Sequence, residues 1–477
     1  MHEDPHLPNI DAVQIAKDYV RDEPAFVSSL DFGPFVAQGT GSGPSVLIGD
    51  QAEINLIHSL ADKRLDHRMA LLARNGDIVL VRARDAEFEA YLANCLGLSD
   101  VRFIQVDDDP LTPVTQQART SDEILKILAN TATAHGGLTL QAYLTTGNLW
   151  RLAQAIGERS GQCIHVCGPS PRATRRANDK LWFTRLARQI IGTEATPPTL
   201  SAYGPAAAAG LVRRISRSAA QVIVKVPDSA GSAGNIRLDN AQVRDLSLAE
   251  LRYMLLSRLY ATGWHDRYPI LVGVWDANVT HSPSVQLWLP HAADGDPVVE
   301  GIFEQRVQDA TTAFAGAAPS TLPMTMQKQL AAQARRVGRV LQRLGYFGRC
   351  SFDAVICENP GAPAVIHWIE CNGRWGGVSI PMTIASRLAP DGYVSIVQEV
   401  IPDIRLQTDI LCDVLNDLLF QNGGSQTGLV ILSPPLNPNG LSVNLLAIAE
   451  TQKAANDLLA GAMQRLVGRS SDGPSFE

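Results

Sequence analysis

A basic excess, paired cysteines and long apolar runs are all missing from this chain of 477 residues. The formal net charge is −7, which argues against a nucleic-acid binder. Two basic clusters, Arg172–Arg176 and Arg213–Arg217, read as solvated helix faces. No segment has the roughly 18 uninterrupted apolar residues of a membrane span. The N-terminal MHEDPHLPNID is acidic and broken by proline, unlike a signal peptide. The expectation is a cytoplasmic protein that meets neither membrane nor nucleic acid. Seven cysteines lie scattered at 95, 163, 167, 350, 357, 371 and 412, with no CxxC pair. A disulfide framework or zinc site is therefore not expected, and reduced thiols are the default. Ten histidines are equally dispersed, with no HExxH. Neither an internal repeat nor a low-complexity tract is present. GxxxxGK[ST] is absent, and the Gly-rich GPFVAQGTGSGP precedes the strand-like SVLIGD instead of following one, so the Walker A and Rossmann fingerprints both fail.

What is there fits an ordinary globular protein: 45 % hydrophobic and 19 % charged residues, with length for about two to four domains. Residues 1–44 read as an arm and a leading loop. Residues 45–171 alternate strand-like SVLIGD, DIVLVRA, VRFIQVD, LTLQAYL and CIHVCG with helical segments such as AEFEAYLANCLG and DEILKILANTATA, which predicts a parallel sheet flanked by helices. Residues 172–400 differ. The helix NDKLWFTRLARQIIG opens on the capping residues Asn178 and Asp179. TEATPPTLSAYG reads as a Pro-rich loop, LVRRISRSAA as helix, and VIVKVPDSAGSAGNIRL as strand, glycine loop and strand. LSLAELRYMLLSRLYATG and QKQLAAQARRVGRVLQRLG are amphipathic helices ended by glycine, with strands YPILVGVW and PSVQLWLP between them. Residues 401–477 read as a small module with helices LCDVLNDLLF and AETQKAANDLLAGAMQRL around a strand, GLVILSP. The tail SSDGPSFE is expected to be disordered.

Chemistry concentrates between Gly348 and Pro381. SFDAVIC is apolar around Asp353; AVIHWIE is apolar and ends on Glu370; the turn ENPGAP separates them. Antiparallel pairing would bring Asp353 to Glu370 and Asn372, three hard oxygen donors of the kind Mg²⁺ requires. An acid in the middle of an apolar strand is costly to bury alone, and a shared cation explains both carboxylates. Upstream, Lys225 lies on an alternating apolar strand before the loop Asp228–Asn235. Glycine lets backbone N–H groups approach phosphate oxygens, and Lys225 would add a point charge.

In the order NDK, VIVKVPDSAGSAG, FDAV and IECNGRWGG, residues 175–400 resemble the ATP-grasp superfamily of carboxylate–amine ligases. A leading α/β domain and a small domain after the grasp resemble a narrower group, the pheganomycin-type peptide ligases. The resemblance implies a Rossmann-like pre-ATP-grasp domain, an ATP-grasp core of two α+β subdomains and a small C-terminal α/β module. It implies that Lys180 and Lys225 contact ATP phosphates, that Ser229, Gly231, Ser232 and Gly234 close over them, and that Asp353, Glu370 and Asn372 hold Mg²⁺, which Mn²⁺ can replace. Arg374 would hold the reacting acyl group. The family places a ribose-binding Glu where this chain offers Asp276. Arg349 lies four residues before Asp353, whereas D-alanine ligases carry an Arg two before, and it receives no role. The implied reaction joins a carboxylate to the amine of an amino acid or peptide through an acyl phosphate, releasing ADP and phosphate. The same resemblance implies a homodimer. Alternatives are another carboxylate activation, such as thioester formation, and a nucleotide-binding module without turnover.

Overall fold

A computed structural model describes residues 11–24, 26, 31–54, 65–107, 109–307, 314–358, 361–424, 426–437 and 440–468. The tail SSDGPSFE, residues 1–10 and part of the turn ENPGAP lie outside them. Three sheets organise the chain.

The first sheet is parallel and six-stranded: β1 Val36–Gln38, β2 Ser45–Ile48, β3 Ile78–Val81, β4 Arg102–Gln105, β5 Leu138–Ala142 and β6 Ile164–Val166, in the order β1-β6-β5-β2-β3-β4. Helices cover both faces, so the central strands read as nearly continuous apolar runs; every residue of β3 is buried. Helices Ala86–Leu96, Asp122–His135 and Gly147–Ser160 each stop at a left-handed glycine. The leading loop needs correction: Val36–Gln38 forms an edge strand beside β6. Three residues are too few to show a period, and only the neighbouring strand gives them one.

The second sheet is antiparallel: β7 Thr199–Ala202, β8 Gln221–Lys225, β9 Asn235–Asp239 and β10 Ile270–Val274, ordered β7-β10-β8-β9. Alternation in β8 divides its faces. Val222 and Val224 pack with Ala209 and Val212 of helix Pro205–Ile215 and with Leu251 and Leu255 of helix Leu248–Ala261. Ile223 and Lys225 face the other way, into a cleft. A capping box of Ser247 and Glu250 starts the second helix. β7 falls within the segment read as a Pro-rich loop. It is a strand because β10 offers an unpaired edge, which composition does not reveal. LVRRISRSAA is helical only to Ile215.

The third sheet is antiparallel and nine-stranded: β11 Val279–His281, β12 Pro283–Leu289, β13 Val298–Val307, β14 Phe314–Pro319, β15 Gly348–Cys357, β16 Val365–Asn372, β17 Tyr393–Ile401, β18 Gly428–Ile431 and β19 Leu441–Ala449. Its order is β11-β15-β12-β13-β14-β17-β19-β18, with β16 on the free edge of β15. Helices Lys180–Ile190 and Met324–Arg343 cover one face through Phe183, Leu186, Val337 and Leu341, against Val285, Leu287, Phe352 and Trp368. The opposite face of β15 presents Arg349, Ser351 and Asp353. The C-terminal segment has no sheet of its own: β18 and β19 extend this one. Phe88 and Tyr91 of the first domain join the same core, and the Tyr91 hydroxyl accepts a hydrogen bond from Ile431 N at 3.0 Å. None of the described helices is long and apolar enough to cross a membrane.

His67 marks the inner wall of the first domain. It lies edge-on to Phe88 at 5.7 Å and stacks on Phe103 at 6.2 Å. Burial pulls its imidazole from 6.5 to about 4, against the upward influence of Asp85 and Glu89. Unfolded chains therefore bind the proton more readily, and stability should fall as pH drops from about 6.5 towards 4, by up to about 3 kcal/mol. Urea unfolding of His67→Gln across this window should show a flatter pH dependence than the unaltered protein.

Candidate active site

The site is built first by register. β15 and β16 pair antiparallel with Asp353 opposite Glu370 and Ser351 opposite Asn372. Like charges directly opposite on a sheet destabilise it, and both carboxylates are largely withdrawn from water. Burial, then Glu370, hold the Asp353 carboxyl well above the usual carboxylate range. Burial works to raise Glu370 as well, but Lys180, Arg374 and Lys225 together hold it below that range.

Hydrogen bonds fix the arrangement. Ser284 Oγ donates to Asp353 Oδ1 at 2.6 Å, and Gln286 Nε2 donates to Ser284 Oγ at 2.9 Å. Asn372 Nδ2 donates to Asp353 Oδ2 at 2.9 Å, while its carbonyl oxygen accepts from Arg374 Nη2. Arg374 Nη1 donates to Asn178 Oδ1, which also accepts from Gly373 N at 3.1 Å. Asn178 thus ties the end of the hairpin to the segment before helix Lys180–Ile190, across 195 residues. As a cap residue in the sequence, Asn178 gives no sign of this beyond its place in the NDK triplet. Ser284 and Gln286 give none, since an apolar strand carries them.

Lys180 is 5 % exposed and lies 3.1 Å from Glu370 Oε2. Its Nζ also donates to Ser229 O at 2.7 Å and Ser229 Oγ at 3.1 Å, so one ammonium joins Glu370 to the glycine loop. Val226 N donates to Gly234 O at 2.9 Å and closes that loop. Gly231 and Ser232 turn through left-handed backbone, φ 57° and 65°. A Cβ at Gly234 would stand 2.8 Å from both Ser229 Oγ and Val226 Cβ, so the closure admits only glycine. Ala230 packs into the core that includes Tyr143, Phe303 and Trp375.

Between the second and third sheets lies a cleft of about 360 Å³, its open mouth included, walled by Ile223, Leu271, Val274 and Trp368, with Lys180 and Lys225 lining it. Burial lowers the Lys225 ammonium; Glu370 opposes the shift and Lys180 adds to it. Asp276 stands two residues past Val274 and binds His367 Nδ1 at 2.9 Å. With Cys357 these two form the one group of three such ligand residues among the described residues, their ligand atoms within 4.8 Å.

The donors suit the groups expected here. Two opposed carboxylates, one held high by burial and then by the other, are an oxygen site that a divalent cation would relieve. Two lysines beside an apolar slot suit a polyphosphate carrying a flat ring. Asp353, Glu370 and Asn372 could hold the cation, and Asn372 would have to yield its carbonyl oxygen from Arg374.

In sequence, residues 66–158 match the pre-ATP-grasp domain. The chain has the ATP-grasp fold over about 90 % of its length, as its solved neighbours show. The biotin carboxylase domain of the 2-oxoglutarate carboxylase from Hydrogenobacter thermophilus, solved with MgADP, ADP and bicarbonate, is similar over 90 % of this chain and 94 % of its own, with 12 % identity and a TM-score of 0.55. N5-carboxyaminoimidazole ribonucleotide synthetase from Thermus thermophilus aligns over 91 % and 99 %, with 14 % identity and a TM-score of 0.51. The Aspergillus clavatus N5-carboxyaminoimidazole synthase, solved with ADP and 5-aminoimidazole ribonucleotide, aligns over 89 % and 99 %, with 11 % identity and a TM-score of 0.52. No protein of curated function matches the chain in sequence.

Lys180→Met should destabilise the protein by about 3 kcal/mol, because it takes from the largely buried Glu370 its ion-pair partner. In urea unfolding, adding Glu370→Gln should restore part of that loss, with a coupling of about 1–3 kcal/mol. Strict additivity would rule out the Lys180–Glu370 link.

Proposed function

We propose that this protein is an ATP-dependent carboxylate–amine ligase that forms an amide or peptide bond and releases ADP and phosphate. One observation carries the reading. Asp353, Glu370, Asn372 and Arg374 meet at the end of one hairpin, beside a cleft lined by the buried Lys180 and the partly buried Lys225. The adenine would lie in the apolar slot between the sheets, with Asp276 near the ribose. Lys180 and Lys225 would bind the phosphates, and the Ser229–Gly234 loop would cover them. Asp353, Glu370 and Asn372 would hold Mg²⁺, which neutralises phosphate charge when bound.

The chain's own groups then have distinct tasks. A substrate carboxylate attacks the γ-phosphate, giving an acyl phosphate, and an amine displaces phosphate from the acyl carbon. Arg374, held by Asn178 and Asn372, would meet the oxyanion that develops there; one such donor is worth about 3–4 kcal/mol in known cases. The glycine loop would exclude water, since an acyl phosphate hydrolyses when water reaches it. Seven free thiols suit a reducing, cytoplasmic setting. The peptide-ligase assignment rests on the order of motifs and on the pre-ATP-grasp domain.

With candidate carboxylate and amine pairs, purified protein should release ADP and not AMP. Lys225→Ala should abolish that release while the melting transition persists. Asp353→Asn combined with Glu370→Gln should remove both activity and Mg²⁺ dependence. Arg374→Ala should cut product formation by about a hundredfold or more; turnover near the unaltered rate would refute its role. A nucleotide-binding module without turnover would release no phosphate with any pair.

A further inference from the structure

Arg349 is the charged group on the site face of β15 that the reading above leaves without a task. It lies four residues from Asp353 on the same side of the strand, about 13 Å along it. Its residue is only 8 % exposed, and burial draws its guanidinium down to about 10. Trp288, its register partner on β12, and Trp375, next to Arg374, flank the guanidinium carbon with ring centroids at 5.7 and 5.0 Å. Nη2 reaches Thr383 Oγ1 at 3.5 Å. Glu300 forms an ion pair with Nη1. Nε is buried and has no hydrogen-bond partner among the described residues.

Glu300 owes its position to a bulge. Gln286 pairs with Gly301 and Leu287 with Val299, so Glu300 is the extra residue of β13. A bulge re-aims a side chain that a regular ladder would send elsewhere, and here it meets an arginine. The Glu300 side chain remains 31 % exposed, so the pair can be reached from solvent. The pair thus keeps an unfilled donor on the arginine and an open side on the carboxylate, one group of each sign for a ligand to meet.

Resting on the ligase reading, we propose that Arg349 and Glu300, walled by Trp288 and Trp375, clamp the acceptor substrate as an α-amino-acid zwitterion. Arg349 takes the α-carboxylate, for which a planar guanidinium is suited. Glu300 takes the α-ammonium. One ion pair opens into two, and net charge is conserved. The carboxylate held by Arg349 is not the one activated, so it belongs to the acceptor and survives as the free carboxyl of the product. Trp375 follows Arg374 in the chain, so one wall of the clamp and the group that would meet the acyl oxyanion belong to the same segment.

The test is calorimetric titration of the full chain with glycine and both enantiomers of alanine, leucine, phenylalanine, aspartate and lysine. Each is compared with its decarboxylated amine and its N-acetyl derivative. At least one amino acid should bind and lose about tenfold or more in affinity when either group is removed. Glu300→Gln should erase the penalty of N-acetylation, and Arg349→Met that of decarboxylation. If a variant fails to fold, the comparison on the unaltered protein decides alone. Binding by no amino acid, or derivatives that bind as tightly as their parents, overturns the clamp. Failure there with ADP release intact removes the clamp and spares the ligase reading. Zwitterion selectivity without ATP turnover keeps the clamp and removes the ligase reading.

Discussion

Two carboxylates forced to face each other across one pair of strands set the terms for everything around them. The β15–β16 register puts Asp353 opposite Glu370, and both carboxylates are largely withdrawn from water. The neighbouring groups answer this repulsion. Ser284 and Asn372 donate to Asp353, Lys180 sits on Glu370, and Arg374 closes the ring through Asn372 and Asn178. An opposition of this kind is unfavourable in a merely structural hairpin. Here Lys180, Arg374 and Lys225 supply the positive charge that offsets it.

The same constraint explains why two sheets must come together. The hairpin supplies carboxylates, but the lysines that balance them arrive from elsewhere: Lys180 from the first turn of a helix and Lys225 from the end of β8. Strand alternation lets β8 bury Val222 and Val224 under its helices while turning Ile223 and Lys225 to the cleft. Lys180 then links the glycine loop to the hairpin through Ser229 and Glu370. Charge balance and loop position are one problem, solved by one ammonium group.

The outer parts of the chain act on the site through shared packing. Tyr91 of the first domain meets Ile431 of the last strand pair, and Trp375 N donates to Tyr143 O at 3.0 Å. The arginine loop after the hairpin is therefore held by the N-terminal domain.

Elements whose signal is local are legible in the residues alone. Alternation announces the first parallel sheet, caps and glycines bound the long helices, and acids in apolar strands mark Asp353 and Glu370. Lys225 before a glycine loop is legible in the same way. Everything else waits on long-range contacts. β1 and β7 are strands because a neighbour offers an edge, and β18 and β19 join the main sheet because β17 is there to receive them. Asn178, Ser284 and Glu300 gain their places from partners tens to hundreds of residues away. A side chain's chemistry is written in its type, but the groups it faces are set by register and packing, and no window along the chain contains them.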